Sequence, residues 1–319
     1  MATTTYPKFN ENTEALDVAG AFASEIRGKT IMVTGVNRGG TGFSTTQAFP
    51  HQNQGVHQRS EEFPKVNYRG LQVDFSNLES VRNAAYEIMS WADVPTINIV
   101  INSAGIMGIQ ERTLSQDGIE LHCATNHLGH WLLTCLIMPK LIKAAESNPT
   151  GATRVVNVSS ASVQASGMRW SDMNFERRNK DLPAEEEPNY ESLYVPLDGY
   201  NRSKGANVLF GIAANKRLFD KHGMLTLSLH PGVIDTELGR NMSSKDLEAF
   251  AELRKSVFKA RTLGAGGNQR VCKNGSENWG SYLDSCQISG KAHPLAVSSE
   301  EAEKLWDVSE RLVGQTFAW

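Results

Sequence analysis

Thr30-Ile-Met-Val-Thr34 runs without a break into Gly35-Val-Asn-Arg38-Gly-Gly40-Thr-Gly42, and a helical pattern follows. A β-branched run, a glycine turn and a helix start, in that order, make the physical recipe for a dinucleotide site, because a helix N-terminus presents free N–H groups to a diphosphate. Gly35 permits the tight turn, Gly40 lets backbone approach the pyrophosphate, and Gly42 lets the helix pack on the strand. The same spacing also occurs in flexible loops, so the rest of the chain has to decide.

Working outward, short buried runs alternate with longer helical patterns. The runs are Thr30–Thr34, Leu71–Val73, Ile97–Ile101, Arg154–Val158 and Leu225–Leu229. Each is apolar enough to be covered on both faces, which is the signature of a parallel sheet. Helices are expected over about 13–27, closed by Gly28, and after Ser76-Asn-Leu-Glu79, a capping box with Leu78, Val81, Ala85, Ile88 and Met89 on one face. A longer helix follows Gly118 and contains Asn126, and another runs through Tyr200 to about Leu218. Ser298-x-x-Glu301 caps a last helix carrying Leu305, Trp306, Leu312 and Val313. The expected fold is α/β, a single Rossmann-type doubly wound parallel sheet. No repeat or linker divides the 319 residues, so residues 1–319 read as one domain with a polar tail at 1–12.

Composition narrows the function. A net charge of -3 gives no electrostatic footprint for nucleic acid or an anionic membrane. No stretch reaches the roughly 18 apolar residues of a membrane span, and no apolar leader opens the chain. Cys123, Cys135, Cys272 and Cys286 are scattered, with no metal-ligand spacing, which suits reduced thiols in the cytoplasm.

The chemistry sits at Tyr200-Asn-Arg-Ser-Lys204, where an i, i+4 spacing puts a phenol and an ammonium on one helix face. A nearby ammonium lowers the phenol's pKa and makes it a usable proton donor or acceptor. On its own such a pair is a common surface feature. Here Ser160 follows the Arg154–Val158 strand, at the carboxyl edge where ligands of open parallel sheets bind. A further strand ends in Asn102-Ser-Ala104-Gly105 at the same edge.

These motifs, with Asn126-His-Leu-Gly129, Val158-Ser-Ser160 and His230-Pro231-Gly232, make the chain resemble the short-chain dehydrogenase/reductases, most of all fungal members of the group that includes retinol dehydrogenases and WW-domain oxidoreductases. The resemblance implies a catalytic tetrad of Asn126, Ser160, Tyr200 and Lys204. Tyr200 would exchange a proton with the substrate oxygen, Ser160 would hydrogen-bond that oxygen, and Lys204 would bind the nicotinamide ribose and depress the tyrosine pKa. Asn126 would hold a water linking Lys204 to solvent. Ser159 is the neighbouring candidate, but strand alternation and the family pattern favour the second serine. The resemblance also puts Asp74 at the adenine, Asn102, Ala104 and Gly105 beside the adenosine ribose, and Pro231, Gly232 and Val233 by the nicotinamide. Arg38 resembles the basic residue that pairs a 2′-phosphate, so NADP is favoured over NAD.

Two departures stand against the family pattern. Between Gln47 and Arg69 no buried strand can be written, since Pro50 stops the helix and His51–Glu62 holds one aliphatic residue, Val56. The sheet is therefore expected to lack the family's second strand and helix, and either Leu71–Val73 moves over to pair directly with Thr30–Thr34, the favoured option because it recovers the ladder, or the edge opens and His51–Tyr68 covers it loosely; cofactor affinity is expected to be reduced. Gly264–Gly280 is polar and glycine-rich, and reads as loop where relatives carry a helix. Substrate-side insertions are expected at 161–198, with Met168, Trp170, Phe175, Tyr190 and Tyr194, and at 236–260, where Leu247, Phe250, Leu253 and Val257 would form a lid. These suggest a lipophilic small-molecule substrate. The expected activity is an NADP(H)-dependent interconversion of a secondary alcohol and ketone, or primary alcohol and aldehyde, in fungal secondary metabolism and compatible with a homo-oligomer. The alternative is a catalytically impaired relative that acts as a binding or regulatory protein.

Overall fold

A computed structural model describes residues 9–10, 12–49, 67–184, 186, 192–234, 236–248 and 282–319. Four parallel strands carry it: β1 (Ile31–Val33), β2 (Ile99–Asn102), β3 (Arg154–Val158) and β4 (Leu225–His230). β5 (Tyr282–Asp284) adds in parallel beside β4, and β6 (Gln287–Ile288) returns antiparallel, giving the order β1-β2-β3-β4-β5-β6. The helices are α1 (Ala15–Ala21), α2 (Ala23–Ile26), α3 (Thr41–Ala48), α4 (Leu78–Ser90), α5 (Gly129–Ala145), α6 (Pro196–His222) and α7 (Ser299–Val313).

The period of two along each strand buries both faces of the sheet. Ile99, Ile101, Val156, Val158, Leu227 and Leu229 face a cluster with Val18, Phe22, Ile26 and Phe49. Val100 and Val155 face the opposite cluster, with Leu132, Leu209 and Trp306. Val33, Ile101, Val156 and Leu227 lie in one cross-strand row, so the segments that follow β1 to β4 emerge together at one edge. Phe9, expected in a polar tail, is instead buried, with its ring 6.4 Å from that of Phe22.

Leu71–Val73 corrects the expected strand. It is irregular chain, and among the described residues β1 pairs with β2 alone. Side-chain tethers hold the segment elsewhere: Arg69 pairs with Asp93 at 2.9 Å and stacks 4.6 Å from the Trp91 ring, while the Asp74 N–H donates to Ser80 Oγ. Those bonds draw the run toward the two ends of α4, where Leu71 and Val73 pack half-buried on the helical layer. Residues 50–66, which hold most of the segment where no second strand could be written, lie outside the described residues, as do Tyr190, Phe250, Leu253, Val257 and Gly264–Gly280.

Helix α4 is capped one residue later than expected. Asn77 Oδ1 accepts the Ser80 N–H at 3.0 Å, because Ser76 is itself held by Asp74 Oδ1. Leu78, Val81, Ala85 and Ile88 face inward and Met89 does not; in α7, Ser298 caps as expected and Leu312 turns outward. Phe22 splits the first expected helix into α1 and α2.

Candidate active site

The turn after β1 is built around Thr34. Its Oγ1 accepts the N–H groups of Ser103 and Ala104, both at 2.9 Å, and so joins the glycine turn to the Asn102–Gly105 turn. With both lone pairs used, the hydroxyl has only its proton left for His130 Nε2, 2.9 Å away. His130 Nδ1 then carries the ring proton and donates to the Thr125 carbonyl. Burial first, and the Lys204 charge second, push its pKa down to about 3, so the imidazole is neutral.

Gly35 sits at φ 69°, and a Cβ there would lie 2.7 Å from Ala104 Cα. A Cβ on Gly42 would lie 2.5 Å from the Gly35 carbonyl oxygen, so only glycine lets α3 start this close to β1. Gly42→Ala is expected to lower stability by about 1–3 kcal/mol through forced backbone displacement, and an unchanged melting curve would refute so tight an approach. Beside the turn, Gly39, Gly40, Thr41, Ser44, Ile234 and Thr236 line a cavity of about 320 Å³ at the α3 N-terminus, a setting suited to phosphate.

Helix α6 carries Tyr200 and Lys204 into the interior at 5% and 3% exposure. Lys204 Nζ donates to the Val158 carbonyl at 2.8 Å and lies 5.7 Å from the Tyr200 ring centroid. Strand alternation separates the two serines: Ser159 Oγ donates to the Lys204 carbonyl at 2.7 Å, whereas Ser160 Oγ accepts the Ser162 N–H at 3.2 Å and lies near enough to Tyr200 to lower its phenol. Burial pushes the Tyr200 phenol up to about 12 against the opposing pull of Ser160, and burial lowers Lys204 to about 8. The ammonium was expected to pull the phenol down. Burial sets the direction here, and the Nζ is turned to a backbone carbonyl instead.

Asn126 lies in a π-helical turn, Cys123–Leu128, that leads into α5, the kind of local irregularity found at functional sites. Its Nδ2 donates to the Ile106 carbonyl at 3.0 Å and to Ser203 Oγ at 2.9 Å, and its Oδ1 accepts the Ile106 N–H at 2.8 Å. Both amide hydrogens and one lone pair are therefore spent on protein, fixing the turn beside Gly105 and leaving a single lone pair for the expected water.

Residues 28–172 match the short chain dehydrogenase family. Oxidoreductase fscI of Fusarium equiseti is 35% identical over 249 residues, covering 70% of this chain and 94% of that protein. Human retinol dehydrogenase 13 is 30% identical over 311 residues, covering 91% and 86%. The chain belongs to the short-chain dehydrogenase/reductases. It is thus an oxidoreductase with a Rossmann-like, mostly parallel sheet. The same fold appears in a Mycobacterium paratuberculosis structure at TM-score 0.59 and 24% identity, covering 92% of this chain and 96% of that one.

The other expected positions of this short-chain dehydrogenase/reductase are placed unevenly. Gly105 abuts both Asn126 and Lys204. Pro231, Gly232 and Val233 follow β4 at the same edge, Gly232 at φ 94°. Arg38 is exposed and has no ion-pair partner among the described residues. Asp74 is exposed, with one carboxylate oxygen holding Ser76. Asn102 points inward, donating to Asn157 and Thr134, so its side chain ties strands together while its backbone borders the edge.

Around Tyr200 the apolar contacts are Met107, Leu238 and Met242, none of them singled out by sequence. Met168 and Phe175, expected on the substrate side, are buried in the interior. Trp170 is committed to Glu301. Tyr194 donates to the Ile109 carbonyl at 3.2 Å and lies beside a buried Glu120–His122 pair. Thr236 was also missed, although its place five residues after Pro231 was a usable signal. No described helix is long and apolar enough to cross a membrane.

Proposed function

We propose that the chain interconverts a secondary alcohol and a ketone, or a primary alcohol and an aldehyde, on a lipophilic small molecule with NADP(H). The observation that carries this is the meeting of Ser160, Tyr200 and Lys204 at the end of β3, under an apolar rim of Met107, Leu238 and Met242. A bound nicotinamide supplies the hydride donor or acceptor. Tyr200 passes the proton to or from the substrate oxygen, and Ser160 orients that oxygen. Lys204, cationic at neutral pH, holds the ribose beside Gly105.

The residues fit such a cofactor. Gly35, Gly40 and Gly42 let the turn fold tightly on Ala104, Asn37 and the end of β1, where a Cβ would press on backbone, and the cavity of about 320 Å³ beside them at the α3 N-terminus has room for a diphosphate; we assign Asp74, the 102–105 turn and Pro231–Val233 to the rest of the cofactor. We assign Arg38 to the 2′-phosphate, since it is an exposed guanidinium next to the glycines with no ion-pair partner among the described residues. Arg38→Ala is then expected to weaken NADPH more than NADH by about 1.5–3 kcal/mol, read by fluorescence titration. Equal losses would return Arg38 to the solvent.

We place the enzyme in the cytoplasm as one domain spanning 1–319. The likeness to a Fusarium oxidoreductase supports the oxidoreductase part of this reading, and we extend it to a role in fungal secondary metabolism. Saturable NADPH binding together with turnover of a panel of apolar ketones and aldehydes tests the whole reading. Binding without turnover on any of them would favour the impaired, regulatory alternative.

A further inference from the structure

The tip of β3 is fastened from two sides. On the helical side, Lys204 Nζ and Asn207 Nδ2 donate to the Val158 carbonyl, at 2.8 and 3.4 Å. From within the sheet, the Ser159 N–H donates to the Leu229 carbonyl at 2.7 Å. The carbonyl of Ser160, two residues after that of Val158, lies beyond the ladder. It accepts the Val163 N–H at 3.3 Å and, more closely, the hydroxyl of Tyr282 at 2.9 Å.

Tyr282 stands on β5 in the row of Ser228 and Asn157, whose side chains bond the Asn207 carbonyl of α6. Its ring is 2% exposed within the cluster under α6, which leaves its hydroxyl at the level of Ser160. Burial first, then the negative charges Asp284 and Tyr200 would carry, push its phenol up, so at neutral pH it is a fixed donor.

We propose that Tyr282 is a positioning residue for the oxidoreductase reaction, holding the Ser160 peptide so that the Ser160 hydroxyl stays aimed at Tyr200. This rests on the catalytic assignment of Ser160 and Tyr200 made above. The role assigned to Tyr282 runs only through the Ser160 carbonyl that its hydroxyl holds. Loosening the Ser160 peptide lets the Ser160 hydroxyl drift away from Tyr200 and weakens the pull that holds the phenol down. The phenol then titrates at higher pH and the aligned geometry is sampled less often. Among the described residues, the titratable groups around Tyr200 are Lys204 on α6, His122 with its partner Glu120, Tyr194 beside that pair, and Tyr282.

The test compares the intact chain with Tyr282→Phe and Tyr282→Leu, two variants that lose the hydroxyl but pack differently, each checked for folding by melting and NADPH titration. Both are expected to lower kcat about three- to tenfold, to move the Tyr200 limb of the pH profile upward and to leave NADPH affinity within twofold. In a Ser160→Ala background the same substitutions are expected to cost less than twofold. Unchanged kcat and pH profile in whichever variant folds, or an equal loss in both backgrounds, would overturn the proposal. A Tyr200→Phe control separates the two levels: if it keeps turnover, the catalytic assignment itself fails and this inference falls with it. If it loses turnover while the Tyr282 variants do not, only the positioning role fails.

Discussion

Tyr200→Phe is expected to lower kcat by at least about 100-fold, the usual loss when a positioned general acid is removed, with NADPH affinity within twofold of the wild type. The ring is 5% exposed and packs against Met107 and Met242, and phenylalanine preserves that packing. What disappears is the hydroxyl beside Ser160 and the proton it would pass. With the phenol pushed up to about 12, Tyr200 is protonated at pH 7 and already in the form that donates to a carbonyl oxygen. Ketone reduction should therefore hold its rate through the neutral range and decline only toward the phenol's pKa. Alcohol oxidation, which needs the proton acceptor, should speed up as pH rises. Stopped-flow turnover in both directions, with cofactor fluorescence as the folding control, reads all of this. A phenylalanine variant with wild-type turnover would remove Tyr200 from the chemistry.

Where a strand ends in a residue whose environment the motif itself determines, sequence and structure agree. Thr34 and Gly35 terminate β1 as read, and alternation along β3 sent Ser159 into α6 and Ser160 toward Tyr200. The spacing of Tyr200 and Lys204 likewise gave their shared face. It could not give their burial, which belongs to the whole fold, and burial reversed the expected direction of the Tyr200 shift. Leu71–Val73 failed for a related reason. Three alternating residues carry too little periodicity to outweigh Arg69 on Asp93 and Trp91, contacts made about 20 residues away. β5 was missed because Tyr282-Leu-Asp is as short and follows a glycine-rich run. The substrate-side aromatics show the same limit: Met168 and Phe175 look alike in sequence whether they line a pocket or fill a core.

Lys204→Met is expected to change the shape of the stability curve as well as the activity. Burial lowers the Lys204 pKa from 10.5 to about 8. Below pH 8 the side chain is charged in both folded and unfolded chains, and the folded state bears the cost of a buried ammonium. Between about 8 and 10.5 the folded chain has released a proton that the unfolded chain still holds, so stability rises with pH across that window. Above it both forms are neutral and the cost is gone. The shift corresponds to about 3 kcal/mol, which the wild type should gain relative to the methionine variant between pH 7.5 and 10.5 in urea unfolding. Methionine also leaves the Val158 carbonyl with only the 3.4 Å contact from Asn207, a loss of about 1–3 kcal/mol that is independent of pH. The variant should thus equal or exceed the wild type in stability near neutrality, fall below it at high pH, and lose turnover throughout. Parallel stability curves would mean that Lys204 is solvated in the folded enzyme, and its role at the ribose would have to be argued from an exposed rather than a buried charge.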